Sequence, residues 1–122
     1  MGTLSELGKK FNTDKGTIHS YLDYYESVFE RIRFDPIVIL EIGIYEGASL
    51  EMWAEYFPMA EIHGIDINID RVKMSVKENQ KIKLYKYSSV CLKDLSNFNE
   101  NQFDIIIDEG ILNAYLSWKE KL

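Results

Sequence analysis

Glu41, Gly43, Gly47 and Asp66 are the residues of this chain whose types and spacing could do chemistry together. The first three lie in the run Val38-Ile39-Leu40-Glu41-Ile42-Gly43-Ile44-Tyr45-Glu46-Gly47, where buried-type aliphatics end in an acid and then two glycines. An amphipathic segment, Ala48-Ser49-Leu50-Glu51-Met52-Trp53, follows at once. This order reads as a strand-to-helix turn that a nucleotide-like ligand approaches closely. A Cβ at either glycine would hinder the turn or the ligand, and the helix that follows presents free N–H groups. Asp66 comes about 20 residues further on, at the end of the next apolar run. An acid there can accept hydrogen bonds from both ribose hydroxyls of a nucleoside. Each feature has a plainer alternative. Any tight turn can use glycine, the full G-x-G-x-x-G is absent, and Asp66 could cap a helix. The two features together favour a nucleoside ligand.

The elements that must position these residues alternate in type. Leu4 to Phe11 reads as a short helix and Asn12 to Thr17 as a polar turn. From Ile18 to Ile32 apolar residues recur at three and four, which predicts a helix with one buried stripe. Pro36 separates it from Ile37–Ile42, a run with the length and β-branching of a buried strand. Then follow a helix from Ser49 to Tyr56, a strand over Ala60–Ile67, and a helix from Asp70, its N-cap, to Gln80. A strand over Ile82–Tyr87, a weak helix or loop over Leu92–Phe98, a strand over Phe103–Asp108 and a last helix over Asn113–Leu122 complete the order. The βαβα alternation predicts an α/β fold, a Rossmann-like parallel sheet of about four strands with helices on both faces. One domain over 1–122 is expected, with 1–34 as an N-terminal helical cap and 35–122 as the core. Ligands of such sheets bind outside the C-terminal strand ends. Glu41 to Gly47, Asp66, Asp108 and Glu109 all fall there.

Composition narrows the classes. The 122 residues are 46% hydrophobic and 28% charged, an ordinary globular balance. A net charge of −6 argues against a general nucleic-acid binder. Lys73, Lys77, Lys81, Lys83 and Lys86 crowd one region and read as a solvated helix face and strand edge. One cysteine, Cys91, excludes an internal disulfide and fits a reducing compartment. With no secretory pattern at the N-terminus and no run long enough to span a bilayer, a cytoplasmic protein without a membrane partner is expected.

The stretch from Leu40 to Trp53, followed by Tyr56-Phe57-Pro58-Met59-Ala60-Glu61-Ile62-His63-Gly64-Ile65-Asp66-Ile67, resembles the class I S-adenosylmethionine-dependent methyltransferases. It is most similar to the branch of macrocin- and mycinamicin-type sugar O-methyltransferases. Thr13-Asp14-Lys15-Gly16, His19, Tyr21, Tyr25 and Phe29 upstream, and Phe103 to Gly110 downstream, extend the resemblance. It implies that Glu41, Gly43, Tyr45 and Gly47 line the methionine and ribose part of S-adenosylmethionine, and that Asp66 holds the ribose hydroxyls. Asp14, Lys15 and His19 would cover the cofactor or border the acceptor entrance. Asp108 and Glu109 match an acidic pair that lies beside magnesium in that branch, and carboxylates suit such a hard cation. Read without the resemblance, two acids there could equally cap a helix. His19 and Asp108 are the candidate catalytic residues, and the acceptor would be a small molecule such as a sugar.

The chain departs from that pattern in three places. Where the family has Gly-Ser-His after the acidic pair, Gly110 is followed by Ile111 and Leu112, and His63 lies inside a strand where packing is expected. Where the third strand commonly ends in Gly-Asp near the adenine, this chain has Tyr87-Ser88-Ser89-Val90, so Ser88 becomes the candidate donor. Four strands are expected where class I methyltransferases have seven. The flank of the fourth would be an exposed edge through which copies self-associate. Two readings follow: an O-methyltransferase acting on a saccharide hydroxyl with a divalent metal, or an inactive methyltransferase-like remnant that binds cofactor or partner proteins.

Overall fold

The computed structural model describes residues 2–11, 19–88, 91–99, 101–108 and 113–116, of which 19–21, 92, 108 and 113–116 are described by their backbone. Helix α1 (Leu4–Lys10) starts at a capping box. Thr3 Oγ1 accepts the Glu6 N–H at 3.2 Å, and Glu6 Oε1 accepts the Thr3 N–H at 3.0 Å. Helix α2 (His19–Phe29) runs into a 3-10 turn over Glu30–Ile32, as the apolar spacing predicts. There follow β1 (Val38–Ile42), α3 (Ala48–Tyr56), β2 (Glu61–Asp66), α4 (Met74–Lys77), β3 (Ile82–Lys86), α5 (Leu92–Leu95), β4 (Ile105–Asp108) and β5 (Asn113–Leu116).

The sheet has the order β3-β2-β1-β4-β5, with the first four strands parallel and β5 antiparallel to β4. From β1 the chain goes one way to β2 and β3, then returns to the other side of β1 with β4. The C-terminal ends of β1 and β4 therefore flank a topological switch point, the crevice where such sheets take ligands. Register makes these ends level: Ile42 pairs with Ile65 on one side and with Asp108 on the other.

Strand alternation divides the core in two. Ile39, Ile62, Ile82, Ile105 and Ile107 share one cluster with residues of α1 to α4. Leu40, Ile65 and Phe103 point the other way, where Leu95 of α5 and Phe98 pack on them. On the first face Phe29 lies 6.1 Å from Trp53 and 5.7 Å from Phe57, ring centre to ring centre, and Tyr25 lies 6.3 Å from Trp53. This buried aromatic block fastens α2 to α3. Truncating one such ring to alanine costs about 3–5 kcal/mol.

Two expectations are corrected. The segment from Asp70 to Gln80 is helical only over Met74–Lys77, and its N-cap is Lys73, not Asp70. Side-chain bonds upstream of it compete with helix: Asp66 Oδ1 accepts the Asn68 N–H and Asn68 Oδ1 accepts the Asp70 N–H, both at 3.0 Å. The predicted C-terminal helix over Asn113–Leu122 is, where described, strand β5, which pairs Asn113 with Asp108 and Leu116 with Ile105. The β4 edge offers unpaired backbone groups, and pairing satisfies them. The flank of β4 is therefore covered within the chain, and among the described residues the sheet has five strands, the four parallel ones as expected. No helix among the described residues is long and apolar enough to cross a membrane.

Candidate functional site

An open cleft of about 200 Å³ lies beyond the C-terminal ends of β1 and β2, lined by Ile42, Gly43, Ile65, Asp66, Ile67 and Tyr87. Gly43 has φ +81, and its N–H donates to the Ile65 carbonyl at 3.0 Å. A Cβ added there would meet nothing within 4 Å, so this glycine turns the chain and leaves open space. Gly47 differs. It starts α3 with φ +89, and a Cβ there would meet Val76 Cγ2 at 3.0 Å and Val72 Cγ1 at 3.3 Å. The turn and the α4 region require Gly47, and it does not line the cleft.

Asp66 joins the two loops at the rim. Its Oδ2 accepts the N–H groups of Ile44 at 3.0 Å and Tyr45 at 3.2 Å, while Oδ1 accepts that of Asn68. Burial pushes the carboxyl up, but those three N–H groups and the Arg71 guanidinium outweigh it and hold it below its usual range. Asp66 is thus an anion at neutral pH, only 8% exposed, that lines the cleft while fixing the turn after β1. The Lys73 N–H donates to the Glu46 carbonyl at 2.9 Å and ties the same loops a second time.

Glu41 corrects the expectation that its side chain lines the cleft. It is fully buried on the α3 face, where Oε2 accepts from Ser49 Oγ at 2.6 Å and Oε1 from Trp53 Nε1 at 2.7 Å. Alternation along β1 sends Glu41 to the same side as Ile39 and leaves Ile42 for the other. Ser49 and Trp53, four apart on α3, present their donors together.

Tyr45 stands at the rim with φ +49, 56% exposed, and the Arg71 guanidinium lies over its ring at 4.6 Å. The Ser88 N–H donates to Asp94 Oδ2 at 2.9 Å, just past Tyr87 in the cleft wall. Asp108 ends β4 beside Ile42. Glu109 lies outside the described residues, as do Asp14 and Lys15; His19 is the first residue of α2, remote in sequence from the strand ends. Among the described residues no cluster of three or more His, Cys, Asp and Glu could hold a metal. His63 packs, as expected: it is buried, stacks on Tyr85 at 5.6 Å, and its ring nitrogens lie 2.9 Å from Tyr85 Oη and Glu61 Oε2.

Sequence reasoning missed Tyr87, Ile67 and Arg71. Tyr87 stacks on Tyr85 at 5.2 Å, and Ile67 is 69% exposed beside Asp66. An exposed isoleucine after a strand-end acid was a signal for an apolar ligand surface. Arg71 gave none, because its reach to Tyr45 depends on the loop between.

Comparison with known proteins gives this geometry a family. Residues 40–120 match the model described as a methyltransferase domain. The chain is 30% identical over 122 residues to mycinamicin VI 2''-O-methyltransferase of Micromonospora griseorubida, covering 93% of this chain and 30% of that protein. It is 32% identical over 118 residues to demethylmacrocin O-methyltransferase of Streptomyces fradiae, covering 88% of this chain and 29% of that one. The chain thus spans about a third of the length of these relatives. Among solved structures it superposes with a TM-score of 0.68 and 28% identity on the MycE methyltransferase of the mycinamycin biosynthetic pathway, in complex with magnesium and S-adenosylhomocysteine, covering 88% of this chain and 27% of that one. The family match over residues 40–120 and the superposition agree, and the chain belongs to the methyltransferase domain family.

Proposed function

We propose that this chain carries the S-adenosylmethionine site of an O-methyltransferase that acts on a saccharide hydroxyl with magnesium. The observation that carries this reading is the cleft at the end of β1 and β2, where Gly43 leaves open space next to the Asp66 carboxylate. A ribose diol fits there as donor to an acid, and Ile67 and Tyr87 offer apolar surface to a purine. The sugar O-methyltransferase relatives and the magnesium and S-adenosylhomocysteine in the MycE complex support the choice of cofactor, metal and acceptor.

When bound, the cofactor supplies an electrophilic methyl on its sulfonium. The protein's part is then alignment: Gly43, Tyr45 and Asp66 hold the ribose side, with Ser88 beside the wall formed by Tyr87. Glu41 and Gly47 act indirectly, by fixing the β1–α3 turn. Asp108, which ends β4, and Glu109, next to it in sequence, would suit magnesium by their chemistry, and the ion would supply a lowered pKa to an acceptor hydroxyl. Asp108 or His19 receives the proton. In this reading 1–34 caps the 35–122 core within one domain. The protein is cytoplasmic, binds neither nucleic acid nor membrane, and self-associates through a sheet edge.

Calorimetric titration with S-adenosylhomocysteine tests the reading. Wild type is expected to bind, and Asp66→Ala to bind at least about tenfold more weakly, the loss of roughly one charge-assisted hydrogen bond. Failure of wild type to bind, or unchanged binding by Asp66→Ala, overturns it. Methyl transfer to sugar acceptors with and without magnesium then decides the acceptor class.

A further inference from the structure

Arg71 has no part in the reading above, yet it touches both sides of the cleft rim. Its guanidinium lies over the Tyr45 ring, 4.6 Å from the centroid, and its Nη2 stands 3.8 Å from Asp66 Oδ2. Tyr45 is unusual: among the described residues it alone of the non-glycines has positive φ, at +49. L residues enter that region at an energetic cost and stay only where their surroundings hold them. The core does not hold the exposed Tyr45 ring. Its backbone is held by the N–H donated to Asp66 Oδ2, and its ring by Arg71. The bond from the Lys73 N–H to the Glu46 carbonyl keeps the two loops in step, so Arg71 reaches Tyr45 from across a fixed gap.

The same contacts settle how Asp66 is presented. Three backbone N–H groups occupy three of its roughly four acceptor positions. Arg71, at 3.8 Å, is too far to be a hydrogen-bond donor and leaves the remaining position open. Its charge nonetheless favours the anion. We propose that Arg71 is a positioning residue for the ribose end of the cofactor: it pins Tyr45 at the rim and, through the Tyr45 N–H, sets the Asp66 carboxylate toward the cleft. This inference rests on the cofactor reading of the cleft. Arg71 is 45% exposed and belongs to neither core cluster, so replacing it leaves the fold intact.

The test is calorimetry with S-adenosylhomocysteine on wild type, Arg71→Met, Tyr45→Ala, Tyr45→Phe, the Arg71→Met/Tyr45→Ala pair, and Asp66→Ala. Arg71→Met and Tyr45→Ala should each weaken binding about fivefold, the size of an exposed cation–π contact. The pair should be no more than about twofold weaker than either single change, because both break one link. Tyr45→Phe keeps the ring and should keep the ring-current shift that Tyr45 imposes on the Arg71 side-chain protons. In the free protein, ring current from Tyr45 should move the Arg71 side-chain proton signals upfield, and Tyr45→Ala should return them. Wild-type affinity in Arg71→Met, alongside lost affinity in Asp66→Ala, overturns the proposal and spares the cofactor reading. Fully multiplicative losses in the pair, or Arg71 signals at unshifted positions, also overturn it. No binding by wild type sinks both.

Discussion

Glu41 and Asp66 are carboxylates at the ends of neighbouring strands, and the chain uses them in opposite ways. Glu41 points under α3, loses all contact with water, and takes hydrogen bonds from Ser49 and Trp53. Asp66 points to the rim and takes bonds from the backbone of the β1 turn, on the wall of an open cleft. The glycines divide in the same manner. Gly47 is pressed against Val76, while Gly43 faces open space. Across a few ångströms the turn therefore has an inner half that holds the helix on the sheet and an outer half that is free to meet a ligand. An acid-and-glycine motif is one stretch of sequence serving two regions.

Substitutions can break this contrast. Glu41→Ala strands two buried donors and empties their pocket, so urea unfolding should show a loss of about 3–5 kcal/mol. A loss under about 1 kcal/mol would mean that the inner half is not held by this carboxylate. Gly47→Ala should destabilise by about 2 kcal/mol, from strain at positive φ and from contact with Val76. Asp66→Asn should cost about 1 kcal/mol at neutral pH. Its folded carboxyl is held below the usual range, so its contribution is full above the unfolded value near 4. That contribution fades as pH falls through the lower folded value. A stability–pH curve for Asp66→Asn should be flatter than wild type on this acid limb, and parallel curves would contradict the assigned bonds. Gly43→Ala should have the smallest effect on folding, about 1 kcal/mol from strain alone. Because its methyl projects into open space, it should still weaken S-adenosylhomocysteine binding. A Gly43→Ala variant that unfolds as readily as Gly47→Ala would erase the distinction between the halves.

The sheet was legible because β1 to β3 are runs of β-branched and aliphatic residues, each bounded by polar punctuation, and the observed bounds fall within a residue or two. The Asn113–Leu116 segment was not legible. Its short apolar pattern suits helix and strand alike, and the unpaired edge of β4, a non-local fact, decides between them. The helix expected from Asp70 fails for a local reason, since Asn68 and Asp66 engage the backbone ahead of it. At the site, Asp66 and Gly43 could be placed by spacing. Glu41 was assigned to the wrong half because its motif was weighed above the alternation that puts it on the side of Ile39. Arg71 and Tyr87 reach the rim only through tertiary geometry.

One bond pattern at the rim has a kinetic consequence. The amide protons of Ile44 and Tyr45 both end on the same oxygen of Asp66. Neither can meet solvent catalyst through a rotation of that carboxylate without freeing the other. Their hydrogen–deuterium exchange should therefore proceed as a single opening event with a common rate ceiling, and a diol seated on Asp66 would slow both amides by the same factor.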